Sequence, residues 1–227
     1  MKNILGFIAF LALTLSGAFA QIEVLHIGDS LTCGDFGASL RQFYVGQLGT
    51  DKNVVIGSCG ASPESYLKSH KTYYTHCGYR AHTPEGSLIR DWSNGKPKVT
   101  ATPKLEILFN KYHPKILIVQ LGTNWMDSFA PQSETKIIKE VVDLAKSNNC
   151  KIIWITPPDS SHYSRKVQDG VKSVIVNASK TYQFEIIDSS SLTHYTKSSG
   201  GDGIHYNTRE ARTWASKIIP ILKGKLK

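Results

Sequence analysis

The chain has 227 residues, 41% of them hydrophobic, and 27 Lys and Arg against 18 Asp and Glu give a formal net charge of +9. Such a length makes one domain with a real core and leaves no room for a second of ordinary size. The basic residues, among them Lys166, Lys172, Lys180, Lys217, Lys223 and Lys225, are scattered as on solvated helix faces, without zinc-finger or RNA-binding spacing. No nucleic-acid partner is expected, whereas attraction to polyanionic cell-wall material is.

Residues 1–20 read as an export leader. Met1-Lys2-Asn3 is a short positive start, 4–15 is almost wholly apolar, and Ala18-Phe19-Ala20 has the small-x-small form of a cleavage site. The apolar run is short for a membrane span of roughly 20 residues. Gln21, not a cysteine, follows the expected cut after Ala20, so no lipid anchor and no stable membrane insertion are expected. The mature domain, 21–227, is then secreted or periplasmic. In an oxidising compartment Cys33, Cys59, Cys77 and Cys150 allow three disulfide pairings. A bridge among Cys33, Cys59 and Cys77 is the expectation, with buried free thiols as the alternative.

In chain order, an Ile- and Val-rich strand at 22–27 is followed by a helix at 39–49, a strand at 53–57 and a long interruption at 61–102. Helix 103–112, strand 116–121, helix 133–148, strand 151–156, helix 164–182, strand 184–187 and helix 208–222 then alternate. In the helix at 133–148, Ile137, Ile138, Val141, Val142, Leu144 and Ala145 share one face, opposite Lys136, Lys139, Glu140 and Asp143. Asn207 or Thr208 caps the last helix. Apolar strands alternating with amphipathic helices predict an α/β three-layer sandwich around a five-stranded parallel sheet. The interruption is rich in Tyr, His, Trp, Pro and Gly. It predicts an elaboration over the site, with short helices at 62–68 and 87–92. Its His70, His76 and His82 lack a zinc-motif context, so no metal is expected.

Open parallel sheets gather their sites beyond the carboxyl ends of the strands. Those ends read Gly28-Asp29-Ser30-Leu31, Gly57-Ser58-Cys59-Gly60 and Gly122-Thr123-Asn124, and the turn before the last helix reads Asp202-Gly203-Ile204-His205. Acyl transfer to a serine needs a hydroxyl in a tight turn, a base for its proton, an acid to orient the base, and donors for the oxyanion. Ser30, His205 and Asp202 fit the first three roles. The backbone N–H groups of Ser30 and Gly60 and the Asn124 amide fit the fourth.

These blocks resemble the GDSL, or SGNH, hydrolases, named for Ser, Gly, Asn and His in four separated segments, here Ser30, Gly60, Asn124 and His205. The resemblance implies a flavodoxin-like sandwich, no cofactor and no metal, and hydrolysis of esters that include O-acetyl groups on carbohydrate, acyl lipids and thioesters. Trp125 departs from the pattern, in which an acidic residue commonly follows the Asn. Asp29, Trp125 and Tyr206 are the candidate substrate-binding residues, with Trp125 as a pocket wall and packing as the other role for Tyr206. The expected function is a secreted serine esterase acting on acylated polysaccharide or a small ester. The alternatives are a lysophospholipase, short-chain lipase or thioesterase, and a non-catalytic glycan-binding module.

Overall fold

The computed structural model describes residues 21–68, 71–74, 78–90 and 98–226. The expected leader, Cys77, His70 and His76 lie outside them. Five strands, β1 (Val24–Gly28), β2 (Asn53–Ser58), β7 (Ile116–Gln120), β8 (Lys151–Ile155) and β9 (Glu185–Ile187), run parallel in the spatial order β2-β1-β7-β8-β9. This is the flavodoxin-like order, and the sheet reverses its direction of growth between β1 and β7.

The sheet has seven strands, not the expected five. The two additions come from the interruption: β4 (Tyr79–Thr83) pairs antiparallel with β2, and β5 (Gly86–Arg90) pairs antiparallel with β4. Residues 91–92 lie outside the described residues, and over 87–90 the expected helix is instead an edge strand. Its short apolar run, Leu88-Ile89, has no period of its own. A tight turn at Pro84-Glu85 folds it back onto β4, whose ladder pairs the inward half of its backbone groups. A separate two-stranded sheet joins β3 (Lys71–Tyr74) to β6 (Lys98–Ala101). The other short helix forms as expected, as α3 (Pro63–Lys68).

Alternation along the strands builds two cores. Leu25, Ile27, Leu117, Val119, Ile152 and Trp154 face α4 (Leu105–Tyr112), α5 (Pro131–Ser147) and α6 (Arg165–Tyr182). Val24, Ile116, Ile118, Ile153 and Ile155 face α2 (Asp35–Leu48) and α7 (Thr208–Lys225). Because both sheet faces are covered, these strands are apolar throughout. On the second face the Trp214 ring of α7 stacks on Phe36 of α2, and its indole N–H donates to Ser189 Oγ at 2.7 Å. Asn207 caps α7 by accepting from the Glu210 N–H, and Ser164 caps α6 by accepting from the Val167 N–H. Cys33 and Cys150 are buried and outside any disulfide, which takes Cys33 out of the expected bridge.

Candidate active site

At the end of β1 the chain turns directly into a single helical turn, α1 (Ser30–Cys33). Asp29 is its N-cap, with Oδ1 accepting the Leu31 N–H at 2.9 Å. The turn packs so tightly that a Cβ on Gly28 would lie 1.9 Å from Thr32 Oγ1, and one on Gly57 would lie 2.5 Å from the Cys33 nitrogen. Glycine at these two strand ends is what lets α1 sit there, with Ser30 half-exposed at its first position.

His205 and Asp202 arrive from the loop before α7. The His205 Nε2 stands 2.8 Å from Ser30 Oγ, and its Nδ1 stands 2.5 Å from Asp202 Oδ2. Asp202 Oδ1 also accepts the backbone N–H groups of Ile204 (2.9 Å) and His205 (2.7 Å). Partial burial raises the Asp202 pKa, but hydrogen bonds from the His205 side chain and from those two N–H groups outweigh it and bring it down to about 2. The carboxylate can then only accept, so the imidazole carries its hydrogen on Nδ1 and, when neutral, offers Nε2 as acceptor to the Ser30 hydroxyl. This is the geometry of a serine, its base and the base's orienting acid.

A cage of hydrogen bonds holds the His205 turn. Tyr195 is its staple: the phenolic oxygen accepts the Gly203 N–H and donates to the His205 carbonyl, both at 3.1 Å. From the loop after β8, Ser160 Oγ donates to the Gly203 carbonyl at 2.6 Å, and the Ser161 N–H donates to the same oxygen at 3.0 Å. Asp159 ties these pieces together. Its buried carboxylate accepts the Tyr195 N–H and an Arg165 N–H, both at 2.8 Å, and its carbonyl accepts the Tyr206 hydroxyl at 2.6 Å.

Gly60 follows β2 with φ +66°, a left-handed conformation that glycine adopts without strain. The Asn124 amide donates one N–H to the Ala61 carbonyl at 2.9 Å, which locks the loop after β7 to the loop after β2. An amide has a second N–H. Ser30, Gly60 and Asn124 are all half-exposed at the same end of the sheet.

Of the three candidate substrate-binding residues, Asp29 and Trp125 are buried and Tyr206 is half-buried. Asp29 is fully buried beneath Ser30. Its Oδ2 has no hydrogen-bond partner among the described residues, and neither do the buried Gln120 Nε2 and Thr123 Oγ1. Burial pushes the Asp29 carboxyl up to about 6, against the opposing pull of the Leu31 N–H, Thr123, His205 and Gln120. Trp125 is buried too, packed on Trp154 with ring centroids 6.2 Å apart, and its indole N–H donates to the Glu64 carboxylate at 3.1 Å. Tyr206 packs against Tyr195 and Trp214. An indole and a phenol beside a deep apolar sheet gain more from burial than from exposure. The residues that sequence reasoning missed are Tyr195, Asp159 and Ser160. Only Asp159, in Pro157-Pro158-Asp159 just beyond β8, stands at a strand end where it could have been suspected.

The family model for GDSL-like lipase/acylhydrolase matches residues 24–218, a span that includes Ser30, Gly60, Asn124, Asp202 and His205. The chain belongs to that family. A multidomain esterase of Ruminococcus flavefaciens is 26% identical over 155 residues, which cover 64% of this chain and 20% of that protein. The chain thus corresponds to about a fifth of that relative's length. Among solved structures, the psychrotrophic esterase EstA from Pseudoalteromonas sp. superposes with a TM-score of 0.63 at 13% identity, over 90% of this chain and 98% of EstA. A GDSL-like lipase from Bacteroides thetaiotaomicron gives 0.56 at 12% identity, over 90% and 87% of the two chains. A peptidoglycan O-acetylesterase gives 0.53 at 13% identity, over 92% and 93%. At these identities the structural likeness is one of fold.

Proposed function

We propose that this GDSL-family protein is an exported serine esterase that removes O-acetyl or similarly small acyl groups from extracellular or cell-wall polysaccharide. The observation that carries the esterase reading is the continuous chain Ser30 Oγ, His205 Nε2, His205 Nδ1, Asp202 Oδ2, with links of 2.8 Å and 2.5 Å. Ser30 Oγ attacks the ester carbonyl while its proton passes to His205 Nε2, and Asp202 stabilises the imidazolium. The Ser30 and Gly60 N–H groups and the Asn124 amide receive the oxyanion. Collapse breaks the bond to the alcohol oxygen, which takes the proton back from Nε2. Water, deprotonated by the same imidazole, then releases the acid and restores Ser30.

The carbohydrate part has separate support. The leader-like residues 1–20 and the net charge of +9 suit a protein working on an acidic wall. One fold neighbour is named a peptidoglycan O-acetylesterase. Export also suits a disulfide. Cys59 behaves as a disulfide-bonded cysteine, with no thiol to titrate, and Cys77 is the partner we propose for it.

Acetate release from 4-nitrophenyl acetate and from O-acetylated polysaccharides tests the reading, with Ser30→Ala as control. Wild-type turnover and a loss of about 10⁴ or more in kcat for Ser30→Ala are expected. Full activity in Ser30→Ala overturns the serine mechanism. A marked preference for long-chain over acetyl esters replaces the deacetylase with a lipid-directed enzyme.

A further inference from the structure

Two loops meet over the site at exposed polar groups that the proposed acyl-transfer steps leave unused. The loop after β7 carries Asn124 and, three residues on, the exposed Asp127. The loop after β8 carries the exposed His162 and the half-buried Tyr163. The Tyr163 hydroxyl donates to Asp127 Oδ1 at 2.8 Å and so joins the two loops. The His162 ring stands edge-on to Tyr163, with centroids 4.8 Å apart and planes at 81°.

This cluster adjoins the His205 turn. The His162 N–H lies 3.3 Å from the Gly203 carbonyl, and a Cβ on Gly203 would lie 3.1 Å from the His162 Cβ. Burial, then the bond to Asp127 and the charges of Asp127, Asp202 and Asp29, push the Tyr163 hydroxyl well above the usual phenol range. It is therefore a permanent donor that feels the field of the acid in the Ser30–His205–Asp202 chain. On its other side the loop of Asp127 begins at Asn124, so the cluster joins the loop that carries Asn124 to the loop that braces the His205 turn.

We propose that Asp127, His162 and Tyr163 form the subsite for the alcohol side of the ester, and that its occupant is a sugar ring. A carboxylate only accepts, and Tyr163 donates to one oxygen of the exposed Asp127, so its other oxygen can take an O–H from a ligand in place of water. A sugar supplies neighbouring hydroxyls for Asp127 and the His162 imidazole, and its C–H faces pack on the two rings. A fatty acyl chain would desolvate the carboxylate without replacing its hydrogen bonds, which is unfavourable. The subsite rests on the esterase reading of Ser30 and narrows its substrate to carbohydrate.

The test is steady-state kinetics on 4-nitrophenyl acetate and on O-acetylated xylo-oligosaccharides and muropeptides. Wild type is compared with Asp127→Ala, the near-isosteric Asp127→Asn, His162→Ala and Tyr163→Phe. The expected result is a fall of about tenfold in the ratio of kcat/KM for an acetylated oligosaccharide to that for 4-nitrophenyl acetate, carried by KM, in Asp127→Ala and His162→Ala. Smaller falls are expected for the other two variants. If wild type cleaves the oligosaccharide and every variant keeps the ratio within about twofold, the subsite is wrong while the esterase reading stands. A wild type active on 4-nitrophenyl acetate but on no acetylated oligosaccharide overturns the sugar occupant. Inactivity on every ester overturns the esterase reading and the subsite with it.

Discussion

Two aspartates at the site sit in opposite electrostatic situations. Asp202, with two backbone N–H groups and an imidazole on its carboxylate, is held down to about 2, whereas Asp29, buried beneath Ser30, is pushed up to about 6. Asp202 thus remains ionised across the range in which enzymes are assayed, and it sets the imidazole tautomer throughout. Asp202→Asn keeps the shape but can present an N–H to Nδ1 and reverse that tautomer. Its kcat on 4-nitrophenyl acetate should fall by roughly 10³–10⁴ with little change in KM. For Asp29 the folded-state pKa lies above its value in the unfolded chain, so the folded state binds the extra proton. The contribution to stability is present in full below about pH 4 and is lost as pH rises through about 6. Asp29→Asn retains an oxygen to cap Leu31 and cannot ionise. Urea denaturation should find it gaining up to about 3 kcal/mol on wild type between pH 4 and pH 7. An equal difference at both pH values would mean that Asp29 is not the buried acid responsible.

At the scale of elements, the site depends on how turns meet strand ends. Ser30 is placed by α1, which needs bare glycines at Gly28 and Gly57, and a Cβ on Gly57 would drive into the backbone of Cys33. Gly57→Ala should therefore displace α1. Thermal unfolding should register a loss of about 1–3 kcal/mol, and activity should fall further than that loss accounts for. His205 is placed differently, by a loop with little regular structure, stapled by Tyr195 and braced by the loop after β8. Tyr195→Phe keeps the ring and removes both hydrogen bonds. We expect kcat to drop about tenfold with KM nearly unchanged and the melting temperature only slightly lowered. A fall in melting temperature with kcat intact would assign Tyr195 to the core alone. The strand-end motifs were legible because glycine and a polar residue after an apolar run mark a turn wherever the run lies. The staple was not, because Tyr195 resembles any other aromatic residue until it folds against Gly203.

For the molecule as a whole, the α2/α7 face serves both stability and the placement of His205. Trp214 fills that core, stacked on Phe36 and bonded to Ser189, in the helix that follows the His205 turn. Trp214→Ala should cost about 3–5 kcal/mol in denaturant unfolding and expose the loop before α7 to fraying. The interruption at 61–102 belongs to this scale too. It was expected as a largely irregular elaboration over the site, yet it supplies two antiparallel strands that extend the sheet beyond β2, and α3, whose Glu64 holds Trp125. Antiparallel pairing is decided by the edge that β2 offers, a property of the assembled sheet that no window of sequence contains.

By itself the sequence determined the parallel strands and the covering helices, and it singled out Ser30, Asp202 and His205, which the fold brings into hydrogen-bond contact. Periodic burial and strand-end turns are local demands that each segment states alone. Only the tertiary structure decided which candidates stay at the surface. Asp29 and Trp125 went inward, and Tyr206 partly so, because neighbouring elements gave them caps, rings and carbonyls to meet, and Asp127, His162 and Tyr163 came together because two distant loops closed on each other. Contacts between segments far apart in the chain carry no local signal, and at this site they set what surrounds the nucleophile.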